Sequence, residues 1–265
     1  MFDEFLRRGW VRFPFDEQTL AWAENARLHA LKAAQDPAHA DWLQCQSTWF
    51  IGVDALNNDA TGQTPDGPPL AGASIDFITR HIGPIPDLHK AQVSIMYPGY
   101  PKPREGEGEA AFRYRLNRDA AHVDGVKMMP GVAGRRRNVD EPHAWVLGLP
   151  LNVASSDASP LVVWEGSHQI MHRAFAAAFE GHAPETLSQL DITDIYTQAR
   201  AEVFESCRRV TVHAAPGEAY LMHRLTLHGV APWADTATAP EGEGRIVAYF
   251  RPEVIGGVAR WLEGA

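Results

Sequence analysis

The sequence predicts a mainly β protein with flanking helices, and a jelly-roll-type barrel is the architecture that fits it best. From residue 91 almost to the end, short segments rich in β-branched and aromatic residues alternate with turns that contain Gly and Pro. Helical periodicity is confined to the front of the chain and to one insertion. We find no internal repeat and no linker. Many short strands with helices gathered outside them are typical of a sandwich or barrel, in which strands distant in sequence can meet.

The chain is expected to form a single domain over residues 1–265. With 265 residues, of which 45% are hydrophobic, it can bury a substantial core. A helical N-terminal part over about residues 1–90 is expected to precede the barrel, which is predicted over about residues 91–255.

The N-terminal part contains several short predicted elements. Asp16 stands ahead of apolar residues that recur at helical spacing as far as about Ala34, so Asp16 is the predicted N-cap of this helix. Residues 47–56 are rich in β-branched and aromatic side chains and predict a strand. The other elements expected here are a helical turn at 2–8, an extended segment at 10–14, a loop at 57–69 and a helix at about 71–81.

Strands dominate the predicted barrel. Residues 92–97 alternate polar and apolar side chains and stop at Pro98-Gly99. Residues 113–124 are predicted to lead into an extended segment, and residues 126–141 are predicted to be a loop. The other predicted strands are 143–151, 160–164, 209–213, 218–222 and 245–250, and helices are expected near 169–180 and 191–206.

Composition excludes several classes of function. A net charge of −9 and a pI near 5.7 argue against a nucleic-acid binder, because phosphate recognition depends on a basic surface. Cys45 and Cys207 are too few for a disulfide scaffold, which favours a reducing cytoplasm. The N-terminus lacks an apolar signal region, and no apolar run is long enough to span a membrane. We expect a soluble cytoplasmic protein whose partner is a small-molecule substrate.

The segment Ala121-His122-Val123-Asp124-Gly125 carries the main candidate site. Side chains two residues apart on an extended segment point to the same side, so His122 and Asp124 can bind one metal ion together. A third ligand must come from far along the chain, and His228 is the candidate. Two histidines and one carboxylate on one face of the ion, with the other face open, are typical of mononuclear non-haem Fe(II) oxygenases.

His223 is an alternative to His228, and the two face opposite sides of a continuous strand. We favour His228, because Leu225 and Leu227 predict a strand that His228 ends beside a glycine. Either histidine could instead be a hydrogen-bonded structural residue. His168, which follows a turn with a capping serine, could also line the site.

Arg245 opens the last apolar strand. Its planar guanidinium suits two-point binding of a dicarboxylate such as 2-oxoglutarate. The alternative is a surface ion pair with Glu241 or Glu243. Arg251 is a weaker candidate on the same strand face.

Several of these motifs occur in the order found in the phytanoyl-CoA dioxygenase family. They are His122-Val123-Asp124-Gly125, Glu165-Gly166-Ser167-His168, the segment 217–223 leading to Leu227-His228-Gly229, and Arg245. The chain resembles that family over most of its length. The resemblance implies a double-stranded β-helix fold, Fe(II), 2-oxoglutarate and O2 as the cofactor and cosubstrates, and His122, Asp124 and His228 as metal ligands. It also implies that Arg245 binds the distal carboxylate of 2-oxoglutarate. The sequence departs from the family in a long insertion at 231–244 and an expanded segment at 98–119.

Three further features are candidates for ligand contacts. Gln92 and Ser94 share one face of their predicted strand, so they could contact 2-oxoglutarate, although an ordinary polar outer face is the alternative. The run Arg135-Arg136-Arg137 could attract an anionic substrate, although such a run is more often a solvated loop.

These observations predict an Fe(II)- and 2-oxoglutarate-dependent oxygenase that hydroxylates a C–H bond of a small molecule and releases succinate and CO2. Hydroxylation is favoured over halogenation, because Asp124 leaves no ligand position free for a halide. One alternative is a cupin-like metal-dependent isomerase or hydrolase that does not use 2-oxoglutarate. The other is a non-catalytic small-molecule binding barrel. The sequence specifies neither the substrate nor the oligomeric state.

Overall fold

The computed structural model describes residues 1–131 and 134–264. The α-helices are α1 (Phe2–Arg8), α2 (Glu17–Gln35), α3 (Ala73–His81), α4 (Glu109–Asn117), α5 (Ser167–Phe179) and α6 (Thr193–Ser206). The strands are β1 (Trp10–Phe13), β2 (Leu43–Gln44), β3 (Trp49–Gly52), β4 (Gln92–Met96), β5 (Val126–Gly131), β6 (Gly134–Val139), β7 (Trp145–Pro150), β8 (Leu161–Trp164), β9 (Arg209–Val212), β10 (Ala219–His223), β11 (His228–Val230) and β12 (Arg245–Phe250). Short 3-10 helices cover Pro37–Trp42, Pro184–Gln189 and Gly257–Arg260.

Two antiparallel sheets form the barrel. The larger sheet has the order β1-β10-β7-β12-β4-β3-β2, and the smaller has the order β11-β8-β9. The free edge of β11 pairs with His122, so the predicted metal-binding segment extends the smaller sheet. Along the chain from β4 to β12, strands pass repeatedly from one sheet to the other, as in a jelly roll. The predicted double-stranded β-helix with flanking helices is therefore confirmed.

The barrel interior lies between the two sheets. Val146, Met222 and Val247 of the larger sheet belong to one buried cluster with Leu161 and Val163 of the smaller sheet. Neighbouring residues on the same strands point the other way, because strand side chains alternate. Both faces of the central strands are buried, which explains why β7 and β12 are apolar almost throughout.

Helices cover the outer faces of both sheets. The buried alanines of α2 lie in one cluster with Leu147 and Ile246, and small side chains let this helix approach the larger sheet closely. Asp16 begins α2 as predicted, and its Oδ1 accepts a hydrogen bond from the Thr19 amide at 3.0 Å. Helices α5 and α6 pack in a second cluster outside the smaller sheet, near the positions that periodicity predicts.

Two predictions of local structure are wrong. Residues 113–117, which were predicted to lead into an extended segment, belong to helix α4, and an Arg113–Glu109 hydrogen bond spans one turn of it. Within the predicted loop 126–141, residues 126–131 and 134–139 form the paired strands β5 and β6. Hydrogen bonds to the insertion hold this hairpin, since the Arg137 amide donates to Thr193 Oγ1 at 2.7 Å. Such tertiary contacts override the weak strand propensity of a segment rich in Gly, Pro and Arg.

The first 90 residues supply strands as well as helices, because β1, β2 and β3 all join the larger sheet. Among the helices of the described residues, none combines the length and the apolar character needed to cross a bilayer.

Candidate metal centre

His122, Asp124 and His228 converge at one end of the barrel. Each offers a ligand atom, and these atoms all lie within 4.8 Å of one another. Asp124 Oδ1 is 3.2 Å from His122 Nε2 and 3.7 Å from His228 Nε2. The structure thus brings together the three residues that the sequence proposes as metal ligands.

The backbone explains why the two histidines are adjacent. The His122 amide donates to the His228 carbonyl at 2.8 Å, and the His228 amide donates to the His122 carbonyl at 3.0 Å. Residues that exchange both hydrogen bonds lie directly opposite each other and point to the same side. Gly125 then turns the chain at a φ of +83°, where a Cβ would lie 2.1 Å from the Glu141 carbonyl oxygen. Only glycine fits this turn, which follows Asp124 directly.

Backbone carbonyls orient both imidazoles. His122 Nδ1 lies 3.0 Å from the Ala120 oxygen, and His228 Nδ1 lies 2.9 Å from the Thr226 oxygen. A carbonyl can only accept, so each Nδ1 carries a hydrogen, and Nε2 is the atom of each ring that is left for a metal ion. This is the arrangement by which proteins fix a metal-binding histidine.

The charges at the centre favour an anionic Asp124 and a neutral His228. Burial disfavours the charged form of Asp124. The interactions with Arg251, His228 and His122 outweigh this effect of burial and hold the pKa of Asp124 well below its usual range. Burial lowers the pKa of His228 to about 4, against the opposing effect of Asp124. Desolvation opposes charge on His122 as well, but contact with Asp124 raises the pKa of His122 above its usual value. The metal-free centre therefore favours a second proton on His122, at Nε2 beside Asp124 Oδ1, and a metal ion must displace that proton.

Replacing Gly229 with alanine is expected to disturb this centre. A Cβ at Gly229 would lie 2.1 Å from the backbone oxygen of Asp119, so β11 would separate from the segment that carries His122. We expect a loss of about 1–3 kcal/mol in unfolding free energy, together with weaker metal binding. Urea unfolding and metal titration measure the two effects. Gly108→Ala is the control, because nothing lies within 4 Å of a Cβ there, and an unimpaired Gly229→Ala protein would contradict the prediction.

A cavity of about 460 Å³ opens onto the triad. Aromatic and aliphatic residues form one wall, namely Trp42, Trp49, Ile51, Val53 and Tyr100. Gln92 and Ser94 also line the cavity, whereas Val93 and Ile95 point into the core on the other side of β4. Ser94 Oγ accepts a hydrogen bond from Trp49 Nε1 at 3.1 Å, so this serine already helps to fix an indole of the wall. A cavity of this size can hold a small molecule.

Arg245 lines a separate cavity of about 10 Å³. Its Nε is buried without a hydrogen-bond partner. Tyr220 lines the same small cavity, and its hydroxyl lies 2.8 Å from that of Tyr249, which lines the metal cavity. The two tyrosines therefore connect Arg245 with the metal-bearing end. The sequence analysis did not single them out, although the strand period that selects Arg245 also selects Tyr249.

Arg251 lies closer to the metal ligands than Arg245 does. Its Nη1 is 3.5 Å from Asp124 Oδ2, and its side chain lines the same cavity as the triad. Sequence reasoning considered Arg251 only as a weaker partner for a dicarboxylate and missed its contact with Asp124. The position follows from the same period of two along β12 and the residue after it.

His223 and His168 lie away from the metal centre. Their rings pack together with centroids 5.0 Å apart, and His168 Nε2 donates to the Leu6 carbonyl at 2.9 Å. His223 Nδ1 accepts a hydrogen bond from the Leu225 amide at 3.1 Å. Neither lines the metal cavity: His223 ends β10, and His168 lies in the first turn of α5.

These buried histidines are expected to make the protein less stable in acid. Burial, with a further effect of Arg224, holds the pKa of His223 well below its usual value. The unfolded chain takes up a proton below about pH 6.5 while the folded chain does not, so stability falls as the pH drops below that value. In His223→Asn this fall should be smaller by up to about 1.4 kcal/mol per pH unit, measured by urea unfolding from about pH 7 to pH 5. An equal change in His182→Asn, an exposed histidine, would contradict the prediction.

The arginine run lies on β6 rather than on a free loop. Arg137 packs over the ring of Tyr196, 5.7 Å from its centroid. Burial, with a further effect of the neighbouring Arg200, lowers the pKa of Arg137. The side chain of Arg135 lies outside the described part of the chain. The proposed attraction of an anionic substrate to this run stays a prediction.

No protein-family model matches the chain, and no curated protein matches it in sequence. Among solved structures, it is similar to a non-heme alpha ketoglutarate dependent carbocyclase, SnoK from nogalamycin biosynthesis, with 12% identity, a TM-score of 0.47, and coverage of 98% of this chain and 87% of SnoK. AviO1 from Streptomyces viridochromogenes Tue57 gives 12% identity, a TM-score of 0.45, and coverage of 95% of this chain and 93% of AviO1. EctD from S. alaskensis with bound Fe gives 16% identity, a TM-score of 0.45, and coverage of 97% of this chain and 79% of EctD.

These similarities concern the overall fold and assign no reaction to this chain. Its own strand order and side chains define a double-stranded β-helix protein with a candidate mononuclear metal centre at one end of the barrel.

Proposed function

We propose that this protein is an Fe(II)- and 2-oxoglutarate-dependent oxygenase that hydroxylates a C–H bond of a small molecule. The observation that carries the proposal is the convergence of two imidazole Nε2 atoms and one carboxylate oxygen on the wall of a cavity large enough for a substrate. Two histidines and a carboxylate with open positions beside them are the donor set of non-haem Fe(II) oxygenases.

The residues present fit the metal. His228 is neutral and Asp124 anionic, the states in which these side chains bind a divalent ion. The Ala120 and Thr226 carbonyls fix the imidazole tautomers. His122, whose side chain is almost half exposed at 46%, lies at the side of the centre from which a substrate and O2 can arrive.

The residues also fit an anionic cosubstrate. Arg245 is buried, with 9% of its surface exposed, and its Nε has no partner. No carboxylate lines its cavity, so within the described structure the guanidinium charge is not balanced by an acid. Tyr220 hydrogen-bonds this guanidinium but carries no charge to balance it. A buried charge without an acidic partner is costly, and the distal carboxylate of 2-oxoglutarate would relieve that cost. Gln92, which lines the metal cavity, is the further candidate contact to the cosubstrate.

Iron and 2-oxoglutarate would supply the oxidising power, with succinate and CO2 as co-products. The chain's own part is to position the metal ion, the cosubstrate and the substrate, and to exclude water. Trp49 is held by Ser94 and packs edge-on against Tyr100, so this apolar wall is rigid. Asp124 stays in the metal site and leaves no ligand position for a halide, which favours hydroxylation.

The test is an anaerobic titration of the Fe(II)-loaded protein with 2-oxoglutarate. A visible charge-transfer band from the chelated keto acid is expected, absent in His122→Ala and weaker in Arg245→Ala. Bound iron without a band would support the metal-dependent isomerase or hydrolase instead. Failure to bind iron would support the non-catalytic binding barrel and overturn the proposal.

A further inference from the structure

We infer that Arg251 is a positioning residue that holds Asp124 in a binding mode with a single oxygen on the metal. The inference rests on the proposed metal centre and goes beyond it, because it assigns different roles to the two carboxylate oxygens. A metal ion can take one or both oxygens of an aspartate, and the second would occupy a position that cosubstrate or O2 requires.

The two oxygens of Asp124 face different partners. Oδ1 is the atom that lies 3.2 Å from His122 Nε2 and 3.7 Å from His228 Nε2, so it faces the centre of the triad. Oδ2 lies 3.5 Å from Arg251 Nη1. The guanidinium therefore attracts the carboxylate oxygen other than the one paired with the two histidines.

The interaction is shielded from water. The side chain of Asp124 is 8% exposed and that of Arg251 is 16% exposed, so solvent screens their charges weakly. Asp124 is also the one carboxylate paired with Arg251 among the described residues. Arg251 lowers the pKa of Asp124, which agrees with a direct charge interaction.

The backbone of Arg251 is fixed as well. Its carbonyl accepts a hydrogen bond from His89 Nε2 at 3.1 Å, and the other ring nitrogen of His89 lies 2.9 Å from Asp54 Oδ1. Pro252 follows and restricts the chain further. Arg251 is thus anchored at its main chain by residues that do not touch the metal ligands.

Removal of the guanidinium should change how Asp124 binds a metal. In Arg251→Met, the buried Oδ2 loses its partner, and a buried acceptor without a partner is costly. A bound ion is then the nearest group that can satisfy it. We expect the carboxylate to take the ion with both oxygens and to displace one coordinated water.

The experiment measures the water proton relaxivity of the Mn(II)-loaded protein, without 2-oxoglutarate. An octahedral ion held by three protein atoms keeps about three water positions. Arg251→Met should have about two, so its relaxivity should fall by about one third. Arg251→Lys preserves a cation for Oδ2 and should retain the wild-type value.

The matched control is Arg209→Met. Arg209 donates two hydrogen bonds of 2.8 Å to Asp119, a carboxylate that lines the same cavity but is not a ligand. Its loss should leave relaxivity unchanged. Wild-type relaxivity in Arg251→Met would overturn the inference, and so would an equal fall in Arg209→Met. Thermal unfolding identifies a variant that does not fold, in which case Arg251→Leu, which also removes the charge and has no donor, replaces Arg251→Met.

The outcome is separable from that of the proposed function. A wild-type protein that binds Mn(II) but shows no charge-transfer band with Fe(II) and 2-oxoglutarate would refute the oxygenase. The relaxivity comparison would still decide the role of Arg251.

Discussion

Replacement of His228 with alanine is expected to remove metal binding almost completely. His228 Nε2 is one of three ligand atoms, and its Nδ1–H is already committed to the Thr226 carbonyl. Loss of residues that merely orient a ligand commonly weakens metal affinity by about 10–100-fold, so loss of a ligand itself should cost more than about 100-fold. Isothermal titration with Fe(II) under anaerobic conditions, or with Mn(II), measures the affinity.

The neighbouring His223 provides the control. It precedes His228 by five positions, but its Nδ1 accepts from the Leu225 amide and its ring packs against His168. His223→Asn preserves an acceptor near that amide and should bind metal as tightly as the wild type. A strong loss of affinity in His223→Asn, or retained affinity in His228→Ala, would show that the metal binds elsewhere.

The ligand triad was predictable because two of its members are close in sequence. The period of two on an extended segment places His122 and Asp124 together. His228 was favoured as the end of a strand through Leu225 and Leu227, but that strand prediction is wrong, because the chain turns after His223 and His228 is the first residue of β11. The two faces of β4 follow from the same alternation. Gln92 and Ser94 line the cavity, while Val93 and Ile95 pack in the core on the other side of the strand. Strand periodicity alone is sufficient to predict which side chains lie together when those side chains belong to one strand.

The surroundings of the triad depend on contacts that no local rule contains. Arg251 reaches Asp124 because β12 lies in the larger sheet while His122 pairs with the smaller one. The Tyr220–Tyr249 contact likewise joins β10 and β12, which are separated by β7. Helix α4 and the β5–β6 hairpin were missed for a related reason, because tertiary contacts rather than periodicity stabilise them.

The strand order also explains why the site combines exposure with rigidity. His122 and His228 form the edge of the smaller sheet, where the pairing of the described strands ends and the cavity begins. Asp124 directly precedes the turn at Gly125, whose carbonyl accepts a hydrogen bond from the Asp140 amide at 2.9 Å. The candidate ligands are thus fixed by backbone geometry, while Trp42, Trp49 and the other residues of the wall line the open side.

Replacement of Arg245 with leucine is expected to have opposite effects on stability and on cosubstrate binding. The guanidinium is buried, its Nε has no partner, and its cavity contains no acid. Burial raises the pKa of Tyr220 well above its usual range, so this neighbour stays neutral and cannot balance the charge. An unbalanced buried charge is destabilising, and leucine should raise the unfolding free energy of the ligand-free protein by about 1–3 kcal/mol.

The same change should weaken 2-oxoglutarate binding by at least about 30-fold, which corresponds to about 2 kcal/mol, because the distal carboxylate loses its buried cation. Metal affinity should stay within about twofold of the wild type, since Arg245 is not among the residues that line the metal cavity. Urea unfolding and the charge-transfer titration measure the two effects on the same preparation.

Tyr249→Phe serves as the comparison, because it removes one hydroxyl between the cavities and keeps the cation. If Arg245→Leu bound 2-oxoglutarate normally and was also less stable, the arginine would be a structural part of the barrel floor, and Arg251 would be the remaining candidate for the carboxylate.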